Sequence, residues 1–135
     1  MAEEYIVPEN LYYTKEHEWL KIEGNTAIMG ITDYAQKSLH EIVFVDLPNV
    51  GRKVKQMESI GTVESVKAVS EIYTPISGQI IEVNTELSES PELINQDPYG
   101  EGWIAKIQPE KLNEEIKNLL TPQKYREYLK TLEET

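Results

Sequence analysis

Gly61-Thr62-Val63-Glu64-Ser65-Val66-Lys67-Ala68-Val69-Ser70-Glu71-Ile72-Tyr73-Thr74-Pro75-Ile76-Ser77-Gly78 is the stretch that decides how the rest of the chain is read. Its centre is Lys67, set between the small apolar residues Val66 and Ala68. On residue grounds alone, a lysine so placed in a strand-rich region is an exposed, solubilising side chain. No Asn-Gly or glycine-rich pair beside it marks a hairpin tip. Downstream, Ser77-Gly78 reads as a turn and Ile80-Ile81-Glu82-Val83 as the strand after it.

Outward from this stretch, the first two-thirds of the chain divides into short strands. His17 to Glu23 places Trp19 and Leu20 on opposite faces; Gly24-Asn25 is a turn pair, and Thr26 to Ile31 is the return strand. Ile42-Val43-Phe44-Val45-Asp46-Leu47 is a continuous apolar run ended by Pro48-Asn49, and its lack of alternation predicts burial on both faces. Trp103 to Ile107 is the last strand. Between Thr32 and Leu39 the pattern becomes helical, with Thr32 or Asp33 as the cap. Leu112, Ile116, Leu119 and Leu120 fall on one face of a helix starting near Pro109-Glu110. Thr121-Pro122 opens a second, with Tyr125, Tyr128, Leu129 and Leu132 as its stripe. Both stripes are expected to cover the core. The segment from Asn84 to Gly102, punctuated by Pro91, Pro98, Gly100 and Gly102, is a long loop expected to be functional or to wrap the core. These readings give a small β core with helices appended at its C-terminal end.

Composition narrows the function. The chain has 135 residues, 13 Lys and Arg against 24 Asp and Glu, and a formal charge of −11. Such a balance disfavours nucleic acid, whose phosphates require a basic face, and an anionic membrane surface. Zero cysteines remove disulfides, thiolate metal sites and a cysteine nucleophile. The only histidines, His17 and His40, match no metal-ligand spacing, and nucleophile-elbow, phosphate-loop and dinucleotide glycine motifs are missing. The acidic start Met1-Ala2-Glu3-Glu4 has neither a positive n-region nor an Arg-rich presequence, so a cytoplasmic protein is expected. By elimination the chain reads as a carrier or adaptor.

The stretch around Lys67 resembles the lipoylation site of the glycine cleavage system H protein family, in which a Glu-Ser-Val-Lys-Ala core carries lipoate on its lysine. Five further segments resemble that family in order. They are Tyr13 to Trp19, Gly30 to Gln36, Ile42 to Pro48, Glu82-Val83-Asn84, and Pro91 to Asn95 with Asp97 to Gly100 and Gly102-Trp103. The resemblance runs from about Leu11 to Leu129. It departs at His40, where the family usually has glycine after the leucine of its short helix; a positive φ there would cost a non-glycine residue about 1 kcal/mol.

The resemblance implies a mainly β fold with appended α: a barrel-sandwich hybrid of two antiparallel sheets of lipoyl-domain type. A short helix is expected near 32–39 and C-terminal helices near 109–132. Residues 1–135 would be one carrier domain with its β core at about 11–108. It implies a non-catalytic carrier with (R)-lipoate on Lys67. The arm would take the aminomethyl group of glycine from a pyridoxal-phosphate-dependent glycine decarboxylase (P protein) to a tetrahydrofolate-dependent aminomethyltransferase (T protein). The resulting dithiol would pass to dihydrolipoyl dehydrogenase (L protein). A lipoate ligase or a lipoyl/octanoyl transferase would attach the cofactor, with Glu64 and Gly51 as recognition positions; Gly51 would act through turn geometry. Glu18, Glu71 and His17 would line a cleft that shelters the loaded arm. Biotinyl domains instead set methionines around the lysine, and lipoyl domains of 2-oxoacid dehydrogenases show Asp-Lys-Ala and Ala/Pro-rich linkers. A lipoyl donor for cofactor relay, or an unmodified interaction module, are the other readings. From Ala68 through Ala105 there are seven acids and no Lys or Arg, a candidate docking field for basic rims on partner enzymes.

Overall fold

The computed structural model describes residues 4–133; residues 1–3, part of the N-terminal stretch read for a targeting signal, and 134–135 lie outside them. In chain order the described elements are β1 (Tyr12–Tyr13), β2 (Glu18–Glu23), β3 (Thr26–Ile31), α1 (Asp33–Leu39), β4 (Ile42–Asp46), β5 (Lys53–Val54), β6 (Ser59–Ser65), β7 (Val69–Tyr73) and β8 (Gly78–Val83). After them come α2 (Leu93–Gln96), β9 (Ala105–Pro109), α3 (Leu112–Glu115) and α4 (Pro122–Glu133). A six-stranded sheet runs β1-β2-β3-β9-β8-β5 and a three-stranded sheet runs β4-β6-β7. All pairings are antiparallel. This is the mainly β, two-sheet architecture with short helices and a C-terminal helix that the sequence leads one to expect. No helix among the described residues is long and apolar enough to cross a membrane.

The alternation of β2 explains why there are two apolar clusters. Leu20 joins Met29, Ile80 and Ile107 of the larger sheet and Val45, Val63 and Ile72 of the smaller one in the core between the sheets. Trp19, on the opposite face of β2, packs with Leu11, Tyr13, Tyr125 and Leu129, so α4 covers the outside of the larger sheet. Tyr13 and Tyr125 stack with their rings 2° from parallel and centroids 4.5 Å apart. The Asn84–Gly102 segment wraps the core: it holds a 3-10 turn at Thr85–Ser88 and α2, and buries Leu87 and Ile94 fully. Thr32 is the cap of α1, its hydroxyl accepting the Ala35 N–H at 3.2 Å.

Three expectations need correction. Ile42–Leu47 is not buried on both faces. Ile42 and Val45 point into the core, but Val43 and Phe44 are exposed, because a register shift between Ile42 and Phe44 breaks the alternation. Ser77-Gly78 is not a hairpin turn. The chain crosses there from the smaller sheet to the larger, and Gly78 starts β8 so close to β9 that a Cβ would meet the Gln108 carbonyl at 2.1 Å. The first C-terminal helix is also shorter than its stripe. After α3 the chain tightens to a 3-10 turn at Ile116–Asn118 and then extends, because Leu120 exchanges backbone hydrogen bonds with Tyr13 at 2.7 and 2.9 Å.

Candidate functional site

Lys67 occupies the tip of the turn joining β6 to β7. The turn is closed by Ser65, whose N–H donates to the Ala68 carbonyl at 2.8 Å. The buried Ser65 hydroxyl in turn accepts the N–H groups of Lys67 at 3.2 Å and Ala68 at 3.1 Å. The serine side chain thus fastens the turn by hydrogen-bonding to its backbone. The Val66 N–H donates to the Glu41 carbonyl at 3.1 Å, tying the tip to the loop before β4. Lys67 is exposed and takes part in none of the ion pairs found among the described residues. An exposed primary amine on a fastened backbone suits amide formation with a carboxylic acid, so these residues fit a lipoyl group.

The other expected positions distribute unequally around this tip. Glu64 is exposed on β6, opposite Phe44 on one side and Val69 on the other. Gly51 stands beyond the far end of β4, in a turn at φ 95°, where its N–H donates to the Ile80 carbonyl at 2.7 Å. The fold therefore separates Gly51 from Lys67, since Ile42, not Asp46, lies beside Ser65.

Glu18 and Glu71 are joined through Tyr73. The Glu18 carboxyl accepts the Tyr73 N–H at 3.2 Å and the Thr14 hydroxyl at 2.5 Å. Glu71, exposed, accepts the Tyr73 hydroxyl and the Ser59 hydroxyl, each at 3.2 Å. Glu18 is 1% exposed. Burial pushes its pKa from the ordinary 4.5 to about 8, against the downward pull of its two hydrogen bonds, so it holds its proton at neutral pH. Next to Thr14 opens a groove of about 310 Å³ lined by Gln56, Met57, Leu119 and Leu120.

His17 faces the other way, towards α4. Its backbone takes the αL conformation (φ 71°) in the turn between β1 and β2. Its Nδ1 lies 2.9 Å from the Tyr125 hydroxyl, which also pairs with the Thr32 hydroxyl at 2.8 Å. The ring sits against Tyr34 and Tyr128, at 4.4 and 5.8 Å between centroids, and burial lowers its pKa from 6.5 to about 4. His40 closes α1 with φ 66° and ψ −149°, a region that favours glycine.

Residue-level reading missed Ser65 and Tyr73. A serine two residues before the lysine was a visible turn signal; Tyr73 gave none, because it acts partly through its backbone N–H.

Comparison with known proteins shows the family and the fold. A family model described as glycine cleavage H-protein matches residues 11–132. The chain is 61% identical over 130 residues to the probable glycine cleavage system H protein of Pyrococcus abyssi, covering 96% of each. It is 53% identical over 125 residues to the glycine cleavage system H protein of Carboxydothermus hydrogenoformans, covering 92% of this chain and 95% of the relative. Among solved structures, a glycine cleavage system H protein from Mycobacterium marinum superposes with a TM-score of 0.78 at 40% identity, over 93% of this chain and 98% of that one. The chain belongs to the glycine cleavage H-protein family, the non-catalytic lipoyl carriers of the glycine cleavage system.

Proposed function

We propose that Lys67 is the lysine that carries (R)-lipoate, with residues 1–135 acting as one carrier domain. The observation that carries this is an exposed amine, in no ion pair among the described residues, at the tip of a turn fastened by Ser65. When bound, the lipoyl group supplies a two-electron disulfide to a chain that has no cysteine. The carrier's own residues present that arm in turn to the glycine decarboxylase, the aminomethyltransferase and dihydrolipoyl dehydrogenase. A fastened turn fixes where the arm starts, and tethering keeps its far end at high effective concentration around whichever enzyme is docked.

Glu64 is assigned to recognition by the lipoate ligase or lipoyl/octanoyl transferase, and Gly51 to holding its turn. The groove beside Thr14 is assigned to sheltering the arm. Glu18 does not line the groove; its carboxyl accepts the hydroxyl of Thr14, which does. Burial raises its pKa to about 8, and a cation held in the groove on the other side of Thr14 favours its charged form, so Glu18 answers an incoming cation from behind Thr14 by releasing its proton. Glu71 supplies a solvated acid on the outer side of Tyr73. His17 positions α4, which covers the same end of the larger sheet.

The test is intact mass after co-expression with a lipoate ligase. One lipoyl increment is expected, absent in Lys67→Arg. An increment that survives in Lys67→Arg, or none in the wild type, overturns the assignment. Glycine-dependent carbon dioxide exchange with the decarboxylase, present only in the modified wild type, tests the carrier step.

A further inference from the structure

The outer face of the smaller sheet carries an apolar strip that folding leaves in water. Cross-strand register sets Phe44 opposite Glu64 and Glu64 opposite Val69, so the three side chains form one row across β4, β6 and β7. The next outward row is Asp46, Thr62 and Glu71. Phe44 is 52% exposed, Val69 63% and, at the turn itself, Val66 67%.

A bulge produces this strip. Ile42 pairs with Ser65 and Phe44 with Glu64, leaving Val43 as the extra residue. Strict alternation would send Phe44 into the core; the bulge turns both Val43 and Phe44 outward before Val45 returns inside. Four of the eight large apolar residues exposed among the described residues therefore gather around one turn: Val43, Phe44, Val66 and Val69. Such clustering marks an interaction surface, not scattered surface hydrophobicity. Its charge is one-sided. β4, β6 and β7 contain no Lys or Arg, while Asp46, Glu64 and Glu71 face outward from them. The complementary partner offers an apolar shelf flanked by basic side chains.

The position of Lys67 selects the partner. Its nitrogen sits at the end of a four-carbon stem. An enzyme that forms a bond at that nitrogen must bring its active site down to the turn and so meets the neighbouring row. Enzymes working at the far end of a long attached arm are not held so close. We propose that Val43, Phe44 and Val69, with Glu64 between the last two, form the face by which the acyl-transferring enzyme that modifies Lys67 grips the chain. This rests on the assignment of Lys67 made above. In the reaction the ammonium first loses a proton, and the amine then attacks the carbonyl carbon of an acyl adenylate. The carbon–nitrogen bond forms, the carbon–oxygen bond to the adenylate phosphate breaks with its electron pair leaving on AMP, and the nitrogen gives a second proton to solvent. The face residues touch none of these atoms. They set affinity.

The test uses the full chain with lipoate, ATP and a lipoate ligase, following attachment by intact mass. The double variant Phe44→Ser, Val69→Ser changes only exposed side chains, and its thermal melt is checked against the wild type. Its kcat/KM for attachment is expected to fall about tenfold or more, mainly through KM. Glu64→Gln is expected to lower the rate and flatten its salt dependence. Ile81→Ser, an exposed apolar residue on the larger sheet, is expected to change neither. Attachment to Lys67 at the wild-type rate in a folded double variant overturns this proposal and leaves the assignment of Lys67 standing. A wild type not modified on Lys67 overturns both. A wild-type dimer that the double variant dissolves, with attachment unchanged, gives the face to a second copy of the chain and overturns the proposal as well.

Discussion

The carboxyl of Glu18, on β2 of the larger sheet, accepts the backbone N–H of Tyr73, on β7 at the edge of the smaller sheet. One buried side chain thereby stitches the two sheets together beside the strand that leads away from Lys67. It also stops part of that edge from pairing with another chain.

The first prediction concerns the proton on Glu18. The folded pKa of about 8 lies above the ordinary 4.5, so the folded state binds this proton more tightly than the unfolded chain. The contribution to stability is complete below about 4.5 and is lost as pH rises through about 8. At about 1.4 kcal/mol per pKa unit, the loss amounts to a few kcal/mol. Glu18→Gln keeps an acceptor for the Tyr73 N–H and carries no charge, so it should hold its stability across this window. Urea midpoints at pH 5, 6.5 and 8 check this; parallel curves for wild type and variant refute it. The variant should still accept lipoate, and its loaded form should decay faster, because no carboxylate forms behind Thr14 to balance a cation in the groove.

His17 titrates with the opposite sign. Its folded pKa of about 4 lies below 6.5, so its contribution is complete above 6.5 and lost as pH falls through 4. Protonation sets a charge among Tyr34, Tyr125 and Tyr128 and commits Nδ1 to donating towards the Tyr125 hydroxyl, whichever tautomer the neutral ring holds. His17→Asn tolerates the αL backbone and does not titrate. The stability difference between wild type and this variant should therefore shift in the variant's favour from pH 6.5 to 4. A difference independent of pH would refute the role given to the ring.

Strain at His40 gives a third prediction. Its φ of 66° and ψ of −149° suit glycine, and its carbonyl accepts the Asn95 side-chain amide at 2.8 Å, an interaction that any residue can make. His40→Gly should raise stability by about 1 kcal/mol, or Tm by about 4 °C. A lower Tm would mean the imidazole contributes more than the backbone loses.

Local chemistry was legible in the sequence and cross-strand chemistry was not. The cap at Thr32, the turn at Gly24-Asn25 and the start of α4 at Thr121-Pro122 each depend on a few adjacent residues, and each appears where expected. The exposure of Phe44 depends on which residue of β6 faces it, and no periodicity within β4 encodes that bulge. Glu115, on α3, is a second case of long-range pairing. It is buried, accepting the backbone N–H of Ser77 at 2.7 Å and the Ser77 hydroxyl at 2.5 Å, partners 38 positions away. Lys67 itself stood out only through resemblance to a family, since its neighbours describe an ordinary surface lysine.

The last prediction returns to the turn that presents Lys67. Two amides at its tip point at one hydroxyl, that of Ser65. Ser65→Ala removes the acceptor, but both amides lie where water can reach them, so the global cost should be only about 1 kcal/mol. The local effect should be larger. Hydrogen exchange at Lys67 and Ala68 should quicken to nearly the open-chain rate, while the cores of β6 and β7 keep their protection. Ser65→Thr retains the hydroxyl and should restore both. If the ordered turn is what presents the amine, lipoate attachment to Lys67 should slow several-fold in Ser65→Ala and recover in Ser65→Thr. Fast exchange with undiminished attachment would instead mean that the enzyme shapes the turn as it binds, and that the pre-formed geometry of Ser65 contributes nothing to presentation.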